Sequence, residues 1–267
     1  MNKAPSRPSP FGEGHQHTDP YHWKCIFVFI SNKAVDSFPS GRQSWDKLRP
    51  NDFGMGFFFN QVNHGSMHYV KHLSKDEKLK KLISAHGTFK LNKKKKLYLY
   101  LCYSIMSQQL STKVASVIKQ RFLDLYDGEP TPQQIVDTSF AKLRGIGLSN
   151  AKVSYVQNVA RFEIEKGMDH KKLSKMSNEE VIEYLTQIKG VGRWTTEMLL
   201  MFALCREDLF AIDDLGLQQA VIGLYDLKHR KKKIMNAKIL KIAEQWAPYR
   251  TYACLYLWRW KDNPPAK

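Results

Sequence analysis

The sequence predicts an all-α fold, because apolar residues recur at helical spacing from residue 74 onward and turn signals separate the runs. The segment KLYLYLCYSIMSQQLSTKVASVIKQRFLDLYDG keeps apolar residues at i, i+3 and i+4 through most of its length. Strand-like alternation is nearly absent after residue 67. We therefore expect roughly nine or ten helices joined by short loops.

Capping signals mark where the predicted helices begin. Ser74 followed by Glu77 has the capping-box pattern, and so does Ser177 followed by Glu180. A change of helix is expected within residues 108–111, where QQLS interrupts the apolar run. These signals divide the chain into helices of ordinary length.

The first 66 residues differ in composition from the rest of the chain. They are rich in Pro, Gly, Ser, His and Asn, and they show no hydrophobic period. We expect residues 1–66 to be a disordered or non-native N-terminal extension, and Met67 to be an alternative start. The patterned domain then occupies residues 67–267.

The charge of the chain points to a polyanionic partner. Lys and Arg number 42 against 25 Asp and Glu, which gives a net charge of +17 and a pI near 9.6. Nucleic acid is the simplest such partner, although a basic protein without one would have the same composition. The four cysteines are far apart and form no C-x-x-C pair, which argues against a zinc ribbon or an iron–sulfur cluster. No 18-residue apolar run predicts a membrane span, and we expect no cofactor.

The stretch LTQIKGVGRW contains a Gly-Val-Gly turn, Gly190 to Gly192, between two helical patterns. Glycines permit positive φ and leave no Cβ in the way, while the following helix presents unpaired N–H groups to an anion. Together with the excess positive charge, this turn predicts a helix–hairpin–helix that holds a DNA phosphate through Gly190, Val191 and Gly192. Lys189 and Arg193 flank it. A glycine turn chosen only for tight packing would leave the same pattern.

A second stretch, LRGIGLSNAK at residues 143–152, resembles a weaker version of this turn. Taken alone, the stretch is better explained by a helix that stops and restarts.

Two adjacent carboxylates, Asp213 and Asp214, follow the apolar stretch LFAI and precede another helical pattern. Asp at such a place is most often an N-cap. One helix separates the pair from the hairpin, so the chain can fold back and place Asp214 beside it. A fixed carboxylate next to bound DNA can stabilise positive charge at sugar C1′ and can orient or deprotonate an attacking water, as in glycoside cleavage.

Four segments together resemble one family: LTQIKGVGRWTTEMLLMFAL, DLFAIDDLGLQQAV, SIMSQQLSTKVASVIKQRF and WAPYRTYACLYLWRW. They are similar to the helix–hairpin–helix superfamily of DNA glycosylases, and most similar to the 3-methyladenine DNA glycosylase II family. The resemblance extends over about residues 68–262. It implies two helical subdomains that flank a cleft, one at about 111–224 and the other at about 68–110 plus 225–262.

The resemblance also implies roles for individual residues. Asp214 takes the position of the catalytic Asp. Trp194 stands where strand-cutting relatives have a nucleophilic Lys, which implies a monofunctional enzyme because Trp forms no Schiff base. Trp194 and Trp258 fall where the family lines its base pocket, Met198 falls where one branch has a pocket aromatic, and core packing remains the alternative for Trp258. Gln109 falls where the family fills the gap left by a flipped base.

The implied function is a monofunctional DNA glycosylase that excises alkylated purines such as 3-methyladenine and leaves an abasic site. Its partner would be double-stranded DNA containing alkylated bases. We expect a monomer, cytoplasmic in a bacterial setting or nuclear in a eukaryotic one. The carbonyls of Thr186, Ile188 and Gly190 would face any monovalent cation bound at the hairpin. Two alternatives stay open: a non-catalytic helix–hairpin–helix DNA-binding protein, and a glycosylase for another damaged base.

Overall fold

The computed structural model describes residues 68–228 and 231–262, and within these ranges every regular element is a helix. The all-α prediction is confirmed. The expectations for residues 1–66 and for Met67 lie outside the described residues. The helices are α1 His68–Leu73, α2 Glu77–His86, α3 Leu97–Ser107, α4 Thr112–Asp124, α5 Pro132–Asp137, α6 Phe140–Gly145, α7 Asn150–Glu165, α8 His170–Leu173, α9 Asn178–Thr186, α10 Arg193–Phe202, α11 Leu215–Tyr225, α12 Lys232–Glu244 and α13 Arg250–Asp262.

The described ranges contain thirteen helices, more than the nine or ten expected. The difference comes from α1, α5, α6 and α8, which are four to six residues long. Such short helices contain too few apolar positions to show a period. None of the thirteen is both long and apolar enough to cross a membrane.

Of the two predicted capping boxes, one is confirmed and one is wrong. Ser177 forms a capping box with Glu180 at the start of α9, and Ser111 caps α4 after the predicted change of helix. Ser74 does not begin α2, since its N–H donates to Val70 at 2.9 Å at the end of α1. Asp76 caps α2 instead.

The hairpin and the predicted catalytic residue are held by a small set of packed helices. α3 is buried along almost its whole length and packs against α4, α7 and α10. α9 packs against α10, and α11 packs against α13. The contacts of α3 and of α11 cross the proposed subdomain boundaries, and the division into two subdomains stays a prediction.

Candidate active site and DNA-binding hairpin

The hairpin joins α9 to α10 through a turn anchored by two buried side chains. Ile188 and Val191 are 3% and 4% exposed, and the Val191 N–H donates to the Ile188 carbonyl at 2.9 Å. Asn158 on α7 donates to the Lys189 carbonyl at 3.2 Å. The apolar residues of the turn therefore face the core, while Lys189 and Gly192 face solvent.

The two glycines of the hairpin meet different demands. Gly190 has a φ of 105°, and a Cβ there would lie 2.2 Å from Cγ of Tyr155. Gly192 has an ordinary φ of −97°, and a Cβ there would meet no heavy atom within 4 Å. Gly190 is needed by the fold itself, whereas space at Gly192 is open on the exposed side of the turn.

Gly192 is the N-cap of α10 and provides no side chain to bond the first-turn N–H groups. At α9 and α11, by contrast, Ser177 and Asp214 accept such bonds. The uncapped N–H groups and the helix dipole make the start of α10 suitable for an anion.

Arg193, predicted to contact DNA, is engaged with two carboxylates. Its terminal nitrogens contact the carboxylate of the exposed Glu179 at 2.5 and 2.9 Å. Its Nε donates to Oε1 of Glu197 at 3.2 Å. A phosphate approaching Arg193 would therefore compete with Glu179 for the guanidinium.

Asp214 is 1% exposed and is held by three N–H donors. As the N-cap of α11, it accepts the Leu217 backbone N–H on Oδ1 at 2.8 Å. The indole N–H of Trp258 donates to the same oxygen at 3.1 Å, and that of Trp194 donates to Oδ2 at 2.9 Å. Capping and a functional role are compatible here, since the cap fixes the direction of the carboxylate.

The structure thus brings Asp214 together with both indoles that were predicted to line the pocket. Trp194 lies in the first turn of α10 and is half-buried. Trp258 on α13 is 4% exposed, and its ring centroid lies 5.9 Å from that of Phe202. Met198 lies one helical turn after Trp194, on the same face of α10, and is 2% exposed.

Glu197 is a buried acid of α10 and was not among the predicted site residues. It is 3% exposed, and its Oε2 has no hydrogen-bond partner within the described part of the chain. Burial raises the pKa of Glu197 from 4.5 to about 7, although the guanidinium of Arg193 opposes the shift. The sequence signal that could have identified Glu197 is its position four residues after Arg193 on one helix, a spacing at which two side chains can pair.

Gln109 lies at an exposed turn between α3 and α4, next to the start of α10. The side-chain amide of its neighbour Gln108 reaches Oγ1 of Thr195 at 3.5 Å. Gln109 has a φ of 59°, which is uncommon for a residue other than glycine. The turn that carries Gln109 therefore borders the helix that carries Trp194.

The three carbonyls predicted to face a monovalent cation lie at the end of α9 and in the turn. That of Ile188 also accepts the Val191 N–H, and its second lone pair stays available. Backbone carbonyls are suitable ligands for a hard cation. The cation at Thr186, Ile188 and Gly190 stays a prediction.

The stretch at residues 143–152 is a helix stop and restart. Gly147 has a φ of 105°, and Ser149 caps α7. The side chain of Lys152, in the first turn of α7, reaches back to the end of α3. Nothing in the local sequence indicates this contact.

Comparisons with known proteins show the family of this chain. The model of the HhH-GPD superfamily base excision DNA repair proteins matches residues 102–245, more than half of the chain. DNA-3-methyladenine glycosylase 1 of Schizosaccharomyces pombe is 40% identical over 191 residues, 69% of this chain and 82% of that relative. The putative DNA-3-methyladenine glycosylase YfjP of Bacillus subtilis is 31% identical over 208 residues, 75% and 71% of the two chains.

Solved structures show the same relationship. The S. pombe 3-methyladenine DNA glycosylase Mag1, in complex with abasic DNA, has a TM-score of 0.65 and 36% identity, covering 74% of this chain and 98% of that one. A DNA-3-methyladenine glycosidase from Bacillus halodurans also has a TM-score of 0.65, with 35% identity and coverage of 73% and 90%. The predicted family resemblance is confirmed: this chain belongs to the HhH-GPD superfamily of base excision DNA repair proteins.

Proposed function

We propose that this protein is a monofunctional DNA glycosylase that excises alkylated purines, 3-methyladenine among them, and leaves an abasic site. The observation that carries the proposal is the buried carboxylate of Asp214, with one indole N–H on each of its oxygens. The relatives named as 3-methyladenine glycosylases support the choice of substrate.

The hairpin would hold the DNA without reading its sequence. A phosphate at the N-terminus of α10 would accept hydrogen bonds from the backbone N–H groups that follow Gly192, where no capping side chain competes for them. This anchors the duplex beside Trp194, which follows two residues later. A nucleotide flipped out of the stack next to the anchored phosphate would then lie near Asp214.

The carboxylate would act on the sugar rather than on the base. Cleavage of the N-glycosidic bond develops positive charge at C1′, and a fixed negative charge that needs no reorganisation stabilises it. Asp214 can also orient the attacking water and accept its proton. The three N–H donors hold both oxygens in one orientation before substrate arrives.

Selectivity for alkylated purines follows from charge. N-alkylation makes the purine cationic, and the half-buried ring of Trp194 offers a π face that favours a cation over a neutral base. Alkylation also weakens the glycosidic bond, so the site needs no strong general acid. With Trp194 in place of a nucleophilic Lys, no Schiff base forms and the strand stays uncut.

The test is base release from a duplex methylated with dimethyl sulfate, followed by chromatography of the released bases. The proposal predicts free 3-methyladenine and abasic sites that break only on alkali treatment. Tight binding of the duplex without release of any base would identify a non-catalytic DNA-binding protein. Release only from DNA with oxidised or mismatched bases would identify a glycosylase of different specificity.

A further inference from the structure

The turn that carries Gln109 has a geometry that an ordinary side chain does not favour. The Leu110 N–H donates to the Ser107 carbonyl at 3.2 Å, which closes a four-residue turn over Gln108 and Gln109. Gln108 has φ −53° and ψ 133°, and Gln109 has φ 59°. These are the angles of a type II turn, whose third position is normally Gly or Asn because φ there is positive.

A non-glycine residue in that position requires support from its surroundings. Lys152 supplies it from a different helix: its ammonium donates to the Gln108 carbonyl at 2.6 Å and to the Met106 carbonyl at 3.0 Å. The Gln108 carbonyl belongs to the central peptide of the turn, whose orientation distinguishes type II from type I. The cation also lies at the C-terminus of α3, where the helix dipole favours positive charge.

We propose that Lys152 is a positioning residue that holds this turn in its type II form and thereby aims Gln109 at the DNA. The inference rests on the proposed function, since it concerns how Gln109 would fill the gap left by a flipped base. Without Lys152, rotation of the Gln108–Gln109 peptide would relieve the positive φ and redirect the side chain of Gln109. The same rotation would weaken the contact between Gln108 and Thr195, because Gln108 belongs to this turn.

The test is a double-mutant cycle of Lys152→Met and Gln109→Ala, with kcat/KM measured for base release from methylated duplex. Lys152→Met should lower kcat/KM about tenfold. This is at the low end of the effects expected from losing a hydrogen bond to a charged group, because the bond from Leu110 to Ser107 that closes the turn remains. In the Gln109→Ala background the same substitution should cost less than about twofold, because Lys152 acts through Gln109. Additive losses would overturn the inference.

Two further readouts separate positioning from general effects. A gap exists only in duplex, so Lys152→Met should change kcat/KM little on single-stranded methylated DNA, and an equal loss on both substrates would contradict the proposal. A plot of the logarithm of duplex affinity against the logarithm of salt concentration should keep the slope of wild type. A slope reduced by about one would instead assign Lys152 to a phosphate contact.

Lys142→Met is the matched control, since it removes one positive charge from an exposed position on the neighbouring α6. It should behave as wild type in each assay. If Lys152→Met does not fold, Lys152→Gln enters the same cycle with the same criteria. A wild-type protein that releases no base would refute the proposed function, whereas an active wild type with additive losses would refute only the role of Lys152.

Discussion

Replacing each hairpin glycine with alanine should separate what the fold requires from what DNA requires. At Gly190 the added Cβ lies 2.2 Å from Cγ and 2.6 Å from Cβ of Tyr155, and φ is 105°. Backbone strain costs about 1–3 kcal/mol and overpacking a similar amount, so Gly190→Ala should lower the free energy of unfolding by roughly 2–6 kcal/mol. Gly192→Ala meets neither obstacle and should change it by less than about 1 kcal/mol.

The two variants should therefore fail in different assays. Thermal denaturation should show a lower midpoint for Gly190→Ala, by roughly 5–20 °C, and an almost unchanged one for Gly192→Ala. In a fluorescence-anisotropy titration, Gly192→Ala should weaken binding about tenfold for damaged and undamaged duplexes alike, because its methyl group stands where a phosphate would approach.

A second-site variant checks the structural part of this prediction. In a Tyr155→Ala background the cost of Gly190→Ala should shrink, since the ring that it contacts is absent and only the φ strain remains. A Gly190→Ala protein as stable as wild type would refute the turn geometry. A Gly192→Ala protein with normal affinity, or one that loses affinity in a single sequence context, would refute the phosphate anchor.

Three further predictions concern the side chains around the carboxylate. Borohydride treatment during reaction with damaged DNA should trap no covalent adduct, because Trp194 offers no amine; a trapped band that requires active protein would exclude a monofunctional enzyme. Trp258→Phe should slow base release roughly ten- to hundredfold by removing a hydrogen bond to Asp214, and unchanged single-turnover rates would show that the bond is unimportant. Burial raises the pKa of Glu197 to about 7, so between about pH 4.5 and 7 the folded state keeps a proton on this residue that the unfolded state has released. The free energy of unfolding should therefore fall as pH rises through this range. Denaturant titrations of Glu197→Gln over the same range should lack that fall.

Local signals in the sequence were sufficient for most of the fold. Ser177 caps α9 as expected because a cap depends on residues two or three positions away. The change of helix expected within residues 108–111 is confirmed, since α3 ends at Ser107 and α4 begins at Thr112. The prediction for Ser74 was wrong because Ser74 fits the capping-box pattern but lies at the end of α1. Asp76, two residues later, is the N-cap of α2. Amphipathic spacing predicted helix type, but helices of four to six residues are too short for it.

The site was predictable where one motif includes both partners and hidden where packing joins distant segments. Asp214 could be placed beside the hairpin because only α10 and a short connection separate it from Gly192, and the pocket role of Trp194 came from the family resemblance. By contrast, the clash that fixes Gly190 comes from Tyr155 on α7, and the support of the Gln109 turn comes from Lys152 on the same helix. Such contacts depend on how α7 packs against α3 and the hairpin, and no local pattern records them.

Asp214→Asn is nearly isosteric and should preserve the fold of the site. Its carbonyl oxygen can still accept the Leu217 and Trp258 N–H groups, while its NH2 faces the Trp194 indole and loses that one bond. The negative charge and the base for water are both removed. Asp213 is exposed and lies next in the chain, so Asp213→Asn changes the same charge at a position outside the cluster of N–H donors.

The rate of 3-methyladenine release by these two variants from methylated duplex, beside wild type, tests the role of Asp214 most directly. Asp214→Asn should reduce the single-turnover rate by about two to three orders of magnitude or more while damaged-duplex affinity stays near wild type. Asp213→Asn should retain most of the activity. Full activity in Asp214→Asn, or loss confined to Asp213→Asn, would contradict the assignment of Asp214 as the catalytic carboxylate.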